Sequence, residues 1–387
     1  MLKAATVSIV NEDSFAAGEE VASELKEELQ GTPELILLFN SCGYEHEKVL
    51  KGIYSKLPKV SLAGCSSYAE INSEEALTNS VTAMGLQLDR ILYKIFRMDE
   101  IGPDSFEAGK IFGERVKDFE PSLLIIFTDG MQCNATRFLL GLQEVLGRGF
   151  PIVGGVAADL GEFERTYEFH NQSCISGGVV GVALQGEIEM VTAAKSGWIP
   201  VGGTRICTKV EHGNTLVELD GKPALSLYRE YLQHRVSEMP RVSAEFPIGI
   251  VGGVAGTQRL PNDDILLVRF ISGVDEARDA IVFGGDIPEG AEVRMTRATK
   301  EDVIRGANEA GAMVCAAMKK PSIALIFDCM GRKVVLGGKY RDELRDTFNR
   351  IGHDIPKIGF YTFGELSPVQ GVTMHHNETF TIALLKA

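Results

Sequence analysis

The sequence lacks the features that mark membrane-spanning proteins and nucleic-acid-binding proteins. Its longest apolar runs, such as Leu35–Phe39 and Leu123–Phe127, are far shorter than the ~20 residues that a membrane helix needs. Positive charge is also in deficit, with 39 lysines and arginines against 53 acidic residues and a formal net charge of −14. This sign disfavours binding to nucleic-acid phosphates and to anionic membranes, so we expect neither partner.

Paired cysteines are missing as well. The seven cysteines are scattered, odd in number and without a Cys-x-x-Cys motif, a pattern typical of free thiols in a reducing compartment. The N-terminus shows no basic leader before a long apolar segment, so the sequence predicts a cytoplasmic protein. Zinc-ligand spacings and the common hydrolase motifs are also missing. The glycine clusters Val153–Gly155 and Val251–Gly253 lack the spacing of a phosphate-binding loop.

Glycine, in contrast, is abundant at 42 residues, and much of it accompanies an internal repeat. Residues 13–18 read Asp-Ser-Phe-Ala-Ala-Gly, and residues 104–109 read Asp-Ser-Phe-Glu-Ala-Gly. Each copy opens a predicted helix, Phe15–Leu29 or Phe106–Phe119, because Asp and Ser cap the free N–H groups of a first turn. A short apolar run follows each helix and predicts a buried strand.

Each copy continues with a second helix, a strand that begins at a proline and ends at glycine, and a closing strand. These elements are predicted at Glu47–Lys56, Pro58–Cys65 and Val81–Leu88, and again at Thr136–Leu146, Pro151–Gly155 and Val179–Leu184. The same order of helices and strands is predicted a third time from Glu292 to Leu385, and residues 187–290 are interpreted as a partial copy. The predicted fold class is therefore α/β, with mixed sheets layered with helices, built from repeated β-α-β-α-β-β units in two halves.

The positions that follow the strands of each copy are the predicted lining of a ligand pocket, because ligands in α/β sheets bind at the carboxyl ends of strands. Cys329 is a candidate nucleophile or redox sensor, or alternatively a buried small hydrophobe. Glu70 and Glu365 share a spacing from Gly64 and Gly359, and they suit acid–base chemistry, a ligand ammonium group or turn capping. The further candidates near these positions are Ser66, Asp328, Arg332 and Tyr361.

Two His-Asn pairs form a second group of candidates. His170-Asn171 and His376-Asn377 each lie shortly before a predicted closing strand. Each histidine suits ligation of haem iron or a hydrogen bond to an anionic ligand, or it only holds a turn. His375 is an extra histidine beside His376, and the alternation of side chains along a strand would point only one of the two inward.

Several of these stretches, taken in order, resemble the FIST family. The resemblance to the FIST N-terminal domain is carried by Leu35–Phe39, Val60–Ser66, Phe169–Asn171 and Gly197–Gly202, and that to the C-terminal domain by Phe327–Arg332, Gly359–Glu365 and His376–Thr379. Leu219–Ala224 and Tyr228–Leu232 resemble the stretch that joins the two. The resemblance implies an N-terminal domain at 1–218, with units of about 1–89 and 90–186, and a C-terminal domain at 219–387.

The function that the resemblance implies is a sensor module of signal transduction rather than an enzyme. Such a module binds a small or gaseous ligand and acts through a separate partner protein, such as a histidine kinase or a cyclic-di-GMP enzyme. The sharpest version is haem-based nitric oxide sensing, as in the NosP-type branch, with the iron on His170, His375 or His376 and with Arg269 and Arg332 near the propionates. The alternatives are an amino-acid or other small-molecule sensor without haem, an enzyme that uses Cys329 or the paired acids, and a ligand-free scaffold. The oligomeric state stays open, with a homodimer among the alternatives.

Overall fold

The computed structural model describes residues 2–239, 241–261 and 264–387, and it confirms the mixed α/β class. Helices cover mixed sheets in three units of the same topology, and a β-rich insertion interrupts the third. Among the described residues, no helix has both the length and the apolar character to cross a membrane.

The first unit starts as its sequence predicts. Asp13 caps the first helix, because its carboxylate accepts hydrogen bonds from the backbone N–H groups of Phe15 and Ala16. In chain order the unit consists of β1 (Lys3–Ile9), α1 (Ser14–Leu29), β2 (Leu35–Ser41), α2 (His46–Lys56), β3 (Ser61–Ser67), β4 (Ala69–Ile71), β5 (Ala76–Leu77) and β6 (Val81–Gln87).

The second unit repeats this order. Asp104 caps its first helix through the N–H of Glu107. Its elements are β7 (Leu92–Met98), α3 (Ser105–Lys117), β8 (Leu123–Thr128), α4 (Ala135–Leu146), β9 (Ile152–Val156), β10 (Glu168–His170), β11 (Ser173–Ile175) and β12 (Val179–Gln185).

The third unit starts earlier than predicted, and an insertion separates its first strand from its first helix. The first strand is β13 (Glu189–Lys195), which pairs along its whole length with the last strand of the chain. The insertion consists of β14 (Ile199–Glu211), β15 (Thr215–Leu219), β16 (Lys222–Pro223), α5 (Leu225–Leu232), the 3-10 segments Gln233–Glu238 and Arg241–Ala244, β17 (Ile248–Gly252), β18 (Leu267–Arg269), β19 (Ile271–Asp275), β20 (Ala280–Phe283) and β21 (Glu292–Arg297).

After the insertion the third unit resumes. Its remaining elements are α6 (Lys300–Ala317), β22 (Ile323–Cys329), α7 (Met330–Leu336), the 3-10 segment Gly337–Lys339, α8 (Tyr340–Ile351), β23 (Lys357–Thr362), β24 (Gly364–Val369), β25 (Val372–His376) and β26 (Phe380–Lys386). The predicted partial copy at 187–290 was therefore wrong. The insertion forms its own sheet, to which β21 belongs, and that sheet has a core of its own.

The three units are interlocked by exchanged hairpins. The β4–β5 hairpin of the first unit pairs with β23 of the third, β10–β11 of the second pairs with β3 of the first, and β24–β25 of the third pairs with β9 of the second. Three six-stranded sheets result, and each is completed by another unit. The exchange covers a strand edge that would otherwise present unpaired backbone groups.

A common core lies between the three sheets. Alternate residues of β2, β8 and β22 point into it, including Phe39, Phe127 and Phe327, while the residues between them face the helices of their own unit. Burial on both faces explains why these strands are continuously apolar.

Each unit contains one pair of parallel strands, and the second strand of that pair (β3, β9 or β23) carries a glycine. This glycine is required because the backbone of the first strand approaches closely. A Cβ at Gly64, Gly154 or Gly359 would lie 1.7, 1.9 or 1.8 Å from the carbonyl oxygen of the adjacent parallel strand. These three glycines occupy the same register position in their units, opposite Leu38, Ile126 and Ile326. Part of the glycine excess is thus a property of the repeat.

Candidate functional site

Three buried glutamates occupy the same register position in the three exchanged hairpins. Glu70, Glu168 and Glu365 lie on β4, β10 and β24, each beside the residue that follows the repeated glycine on the strand it pairs with. The Oε2 atom of each accepts a hydrogen bond from the backbone N–H of the residue just before its unit's last strand. The N···O distances are 3.0 Å from Ser80, 3.1 Å from Gly178 and 3.2 Å from Thr379.

Through these hydrogen bonds, each of the three carboxyl groups joins its exchanged hairpin to the start of a closing strand. Burial raises the pKa of Glu70 to about 7, against hydrogen bonds from the Ser67 and Ser80 hydroxyls that lower it. Burial also raises the pKa of Glu168 and of Glu365 well above the usual range. Of the interpretations left open by the sequence, this geometry favours turn capping for Glu70 and Glu365.

Sequence reasoning missed Glu168, the second unit's member of this set. The loop 157–167 lengthens the distance from Gly154, so the spacing shared by the other two units fails here. Asp159 is the acidic residue nearest to the expected position, and it falls one residue short of that spacing. Its carboxylate instead accepts hydrogen bonds from five successive backbone N–H groups, those of residues 161–165, and so organises the loop.

Three of the predicted residues, Asp328, Arg332 and Tyr361, meet in a buried network at the start of α7. The Arg332 Nε atom lies 2.8 Å from Asp328 Oδ1, and its Nη2 atom donates to a Glu343 oxygen and to the Val303 carbonyl. The Tyr361 hydroxyl lies 3.4 Å from the other Glu343 oxygen. Since the Arg332 Nη1 atom donates to the Ser196 carbonyl, both terminal nitrogens of this guanidinium have hydrogen-bond partners, and Nε has only the ion-pair contact with Asp328.

Cys329 lies next to this network and opens onto a pocket of about 340 Å³. The pocket lies between β22, α7, the insertion and the loop 157–167 of the second unit. The rings of Phe163 and Phe363 stack on one wall with their centroids 4.7 Å apart. The lining residues are Phe163, Ala244, Phe270, Met330, Gly331, Val334 and Phe363 on the apolar side, and Cys329, Asn377 and Glu378 on the polar side.

Hydrogen-bond acceptors without partners are buried behind the polar side of the Cys329 pocket. Asn377 Oδ1 and both carboxyl oxygens of Glu378 are buried and have no hydrogen-bond partner in the described part of the chain. The Glu378 carboxyl group lies against Gly331, where a Cβ would come 2.2 Å from Oε1. Burial raises the pKa of Glu378 to about 8, although the Arg332 charge lowers it.

The Cys329 thiol is held in its neutral form. Burial, and then the Glu365 and Glu378 carboxyl groups, raise its pKa well above the usual range. A nucleophilic cysteine requires the opposite shift. The lining of the pocket therefore offers acceptor atoms and apolar contact area, and it does not favour a thiolate at Cys329.

His375 and His376, two of the predicted haem ligands, lie outside the Cys329 pocket, and each has a ring nitrogen already engaged within the protein. The His375 Nδ1 atom is 2.9 Å from Thr136 Oγ1, and its Nε2 atom is buried against Gly364, at a point only 2.2 Å from where a Cβ would lie. The His376 Nε2 atom is bonded to the Ser367 carbonyl at 3.0 Å. Burial lowers the pKa of both imidazoles, that of His376 to about 4.

The remaining candidates are dispersed. His170 is half-buried on the β10–β11 hairpin, and Asn171 Oδ1 accepts the Leu62 N–H at 3.1 Å, so this pair lies at a turn. Ser66 Oγ accepts the Tyr167 N–H at 3.0 Å. Arg269 is buried in the insertion.

The site also contains residues that the sequence did not single out. Glu378 directly follows Asn377 in the C-terminal motif, and this adjacency is a signal that would have found it. Phe163 carries no such signal, because it reaches the pocket from a loop of a different unit.

The comparisons with known proteins agree with the order of these motifs. The FIST N domain matches residues 34–222, and the FIST C domain matches residues 224–368. An uncharacterised protein of Mycobacterium tuberculosis is 27% identical over 380 residues, which cover 96% of each chain. An uncharacterised protein of Methanocaldococcus jannaschii is 24% identical over 416 residues, which cover 94% of this chain and 75% of that protein.

Two solved structures match over the whole length of the chain, and both are enzymes. One is a cyanuric acid hydrolase at 10% identity and a TM-score of 0.32, covering 100% of both chains. The other is a cyanuric acid hydrolase from A. caulinodans at 8% identity and a TM-score of 0.31, covering 100% of this chain and 99% of that one. The prediction that the chain is not an enzyme is corrected by this finding. At such TM-scores the likeness transfers neither a reaction nor a substrate to this chain.

Proposed function

The chain belongs to the FIST family, whose domains suggest a sensory or signalling module, and on that premise we propose that it senses a small molecule bound in the Cys329 pocket. The observation that carries the proposal is the set of unpartnered acceptors, Asn377 Oδ1 and the Glu378 oxygens, in an otherwise apolar pocket. Buried polar atoms normally have partners, and a bound ligand supplies them here.

The ligand class follows from the chemistry of this lining. Acceptor atoms pair with a ligand that has N–H or O–H donors, and the ionised form of Glu378 favours an ammonium group, while the flat faces of Phe163 and Phe363 favour an apolar, planar body. An ammonium group would pair with the Glu378 carboxylate. We therefore favour the version of the sensor that binds an amino acid or another amine without haem.

Binding of such a ligand would depend on pH. Glu378, with a pKa of about 8, is largely protonated at neutral pH, and an ammonium group pairs with its ionised form. Affinity for an amine should therefore rise as the pH increases from about 7 to about 8.5, whereas affinity for an uncharged amide should change little. Calorimetric titration at several pH values measures both.

The position of the pocket supports a relay of the binding signal. A ligand there contacts the insertion, the third unit and a loop of the second unit, so occupancy would bias how these parts sit together. Phe163 and Val334 are 48% and 53% exposed, which offers apolar contact area at the same place. The output would pass to a separate signalling protein, for which a histidine kinase or a cyclic-di-GMP enzyme remains our candidate.

The test is binding of 2-phenylethylamine and L-phenylalanine against their N-acetyl counterparts, in the wild type and in Glu378→Gln. Gln preserves shape and removes the charge, so amine affinity should fall about tenfold or more while the acetylated compounds change little. Glu309→Gln, on an exposed face of α6, is the matched control. If Glu378→Gln binds the amines as well as the wild type does, the proposed site is wrong.

A further inference from the structure

A second cavity, distinct from the Cys329 pocket, lies between α4, the insertion and the β24–β25 hairpin. Its volume is about 450 Å³. One wall is apolar and includes Leu139, Val254, Ile287, Val372 and Met374. Cavities of this size, with apolar walls and a few polar groups, are typical of small-molecule sites.

Arg269 is the polar group that distinguishes this cavity. Its side chain is only 2% exposed, yet no carboxylate forms an ion pair with it among the described residues. Nε donates to the Asp286 carbonyl at 2.7 Å, and Nη1 donates to the carbonyls of His375 and Val268 at 3.0 and 3.1 Å. Nη2 has no partner in the described part of the chain. A buried guanidinium without an anion is costly, so this cation is a point where an anion would be stabilised.

The acidic residues of the cavity are already engaged. Asp286 Oδ1 accepts a hydrogen bond from the Asn134 side chain at 2.7 Å, and burial raises the pKa of this carboxyl group. Glu289 Oε2 accepts the Val210 N–H at 3.1 Å. Neither carboxylate lies within ion-pair distance of Arg269, although the Arg269 charge lowers the pKa of Asp286, so Arg269 has no carboxylate in direct contact.

The rim adds two further cations, Arg137 and Arg148, and neither is in an ion pair with a described residue. Both are exposed, and the Arg137 guanidinium lies 5.6 Å from the centroid of the Phe106 ring. A cavity lined by three arginines is unexpected in a chain with a net charge of −14. Guanidinium groups bind carboxylates through paired hydrogen bonds.

We propose that this cavity is a second ligand site, which binds an organic carboxylate with an apolar body. The carboxylate lies at Arg269 with Arg148 at the rim, and the apolar body lies on the Leu139 and Ile287 wall. The proposal is independent of the amine site at Glu378, because the two cavities share no lining residue. Val372, Met374 and His375 belong to β25, which is followed directly by Asn377 of the Cys329 pocket. An anion in this cavity would therefore also contact the strand that ends at the Cys329 pocket.

The experiment measures binding of octanoate by calorimetry, with 1-octanol as the uncharged comparison. Octanoate should bind at least about tenfold more tightly than 1-octanol. Arg148→Gln should weaken octanoate binding about threefold to tenfold, and Arg269→Lys should weaken it more. Glu289→Gln, which removes a negative charge from the same rim, should have the opposite effect. Arg350→Gln, on an exposed face of α8, is the matched control and should leave the affinity unchanged.

Three results would overturn the proposal. They are equal binding of octanoate and 1-octanol, an unchanged affinity in Arg148→Gln together with Glu289→Gln, and loss of octanoate binding in Glu378→Gln. The last result would place the anion in the Cys329 pocket. Arg148 and Glu289 lie at the surface, so these tests stand even if Arg269→Lys fails to fold.

Discussion

At the residue scale, burial sets the protonation of the carboxyl groups of Glu70 on β4 and of Glu378 at the Cys329 pocket. Glu70 and Glu378 have pKa values of about 7 and about 8 in the fold, against an ordinary value of 4.5. Their desolvated sites disfavour the charged form. The folded protein therefore holds protons at neutral pH that the unfolded chain releases.

This difference predicts that stability falls as the pH rises. For a carboxyl group with a raised pKa, the stabilising contribution is complete below the unfolded pKa and is lost as the pH rises through the folded one. The free energy of unfolding should thus decrease between about pH 6.5 and about pH 8.5, by about 2 kcal/mol or more, whereas below about pH 6.5 the lowered pKa values of His375 and His376 act in the opposite direction. Urea unfolding across this range measures it. Glu378→Gln should flatten part of the slope, and a stability that rises with pH would contradict the assignment.

The repeated glycines give a second prediction at this scale. Gly359→Ala would place a Cβ 1.8 Å from the Ile326 carbonyl oxygen, so the parallel strands would have to separate. We expect a loss of about 3 kcal/mol or insoluble protein, as for other overpacked cores. Gly338→Ala is the control, because nothing lies within 4 Å of its Cβ position and its φ is not left-handed. Chemical denaturation of both variants measures the difference in the free energy of unfolding. Equal stability would show that the strand of Gly359 and the Ile326 carbonyl oxygen are further apart in solution.

At the element scale, the loop 157–167 connects the second unit to the Cys329 pocket. Five backbone N–H groups converge on the Asp159 carboxylate, and Phe163, at the loop's far side, holds a left-handed φ of 56° while stacking on Phe363. A non-glycine residue at such a φ is held there by its surroundings. The conformation of the loop therefore determines one wall of the site.

Asp159→Asn tests this role of the loop. The amide keeps one acceptor oxygen and loses the other, so the bonds to the N–H groups of Glu164 and Arg165 should fail. We expect faster tryptic cleavage after Arg165 and a ligand affinity reduced about threefold to tenfold, with little change in global stability. Glu162→Gln, exposed on the same loop, should behave as the wild type. If the loop of Asp159→Asn resists trypsin as the wild type does, the Asp159 carboxylate does not hold this wall of the pocket in place.

At the scale of the whole molecule, the exchanged hairpins make each sheet depend on two units. The β9 edge of the second unit is completed by β24 of the third, and the β4–β5 hairpin of the first unit pairs with β23 of the third. The common core likewise takes Phe39, Phe127 and Phe327 from three different units. Folding of one unit alone would leave both a strand edge and an apolar face open to water.

We therefore expect residues 1–187 and residues 188–387 not to fold when expressed separately, and to form a folded complex when expressed together. Size-exclusion chromatography and circular dichroism distinguish these outcomes. The full-length chain should unfold in a single cooperative transition. A monomeric, cooperatively folded 1–187 fragment would show that the exchange is dispensable.

Local physical signals in the sequence determined the repeated elements. The capping residues Asp13 and Asp104 and the apolar runs at 35–39 and 123–127 each act on neighbours close in the chain, whereas the repeated glycines lie inside β3, β9 and β23 rather than at the strand ends that the sequence predicted. Helix caps and strand burial depend on such short-range patterns, so these predictions are confirmed. The Cys329, Asn377 and Arg332 candidates were found in the same way, because each follows a buried strand or lies in a short motif.

Only the tertiary structure decided which of these residues meet. The first strand of the third unit, Glu189–Lys195, is about 100 residues away from its first helix, so periodicity misassigned it to a partial copy. Phe163 and Glu168 reach their places because hairpins and loops cross between units, and nothing near them in sequence encodes that crossing. Long-range pairing arises from the summed burial of whole faces rather than from any local preference, and it is this pairing that assembled both the pocket at Cys329 and the cavity at Arg269.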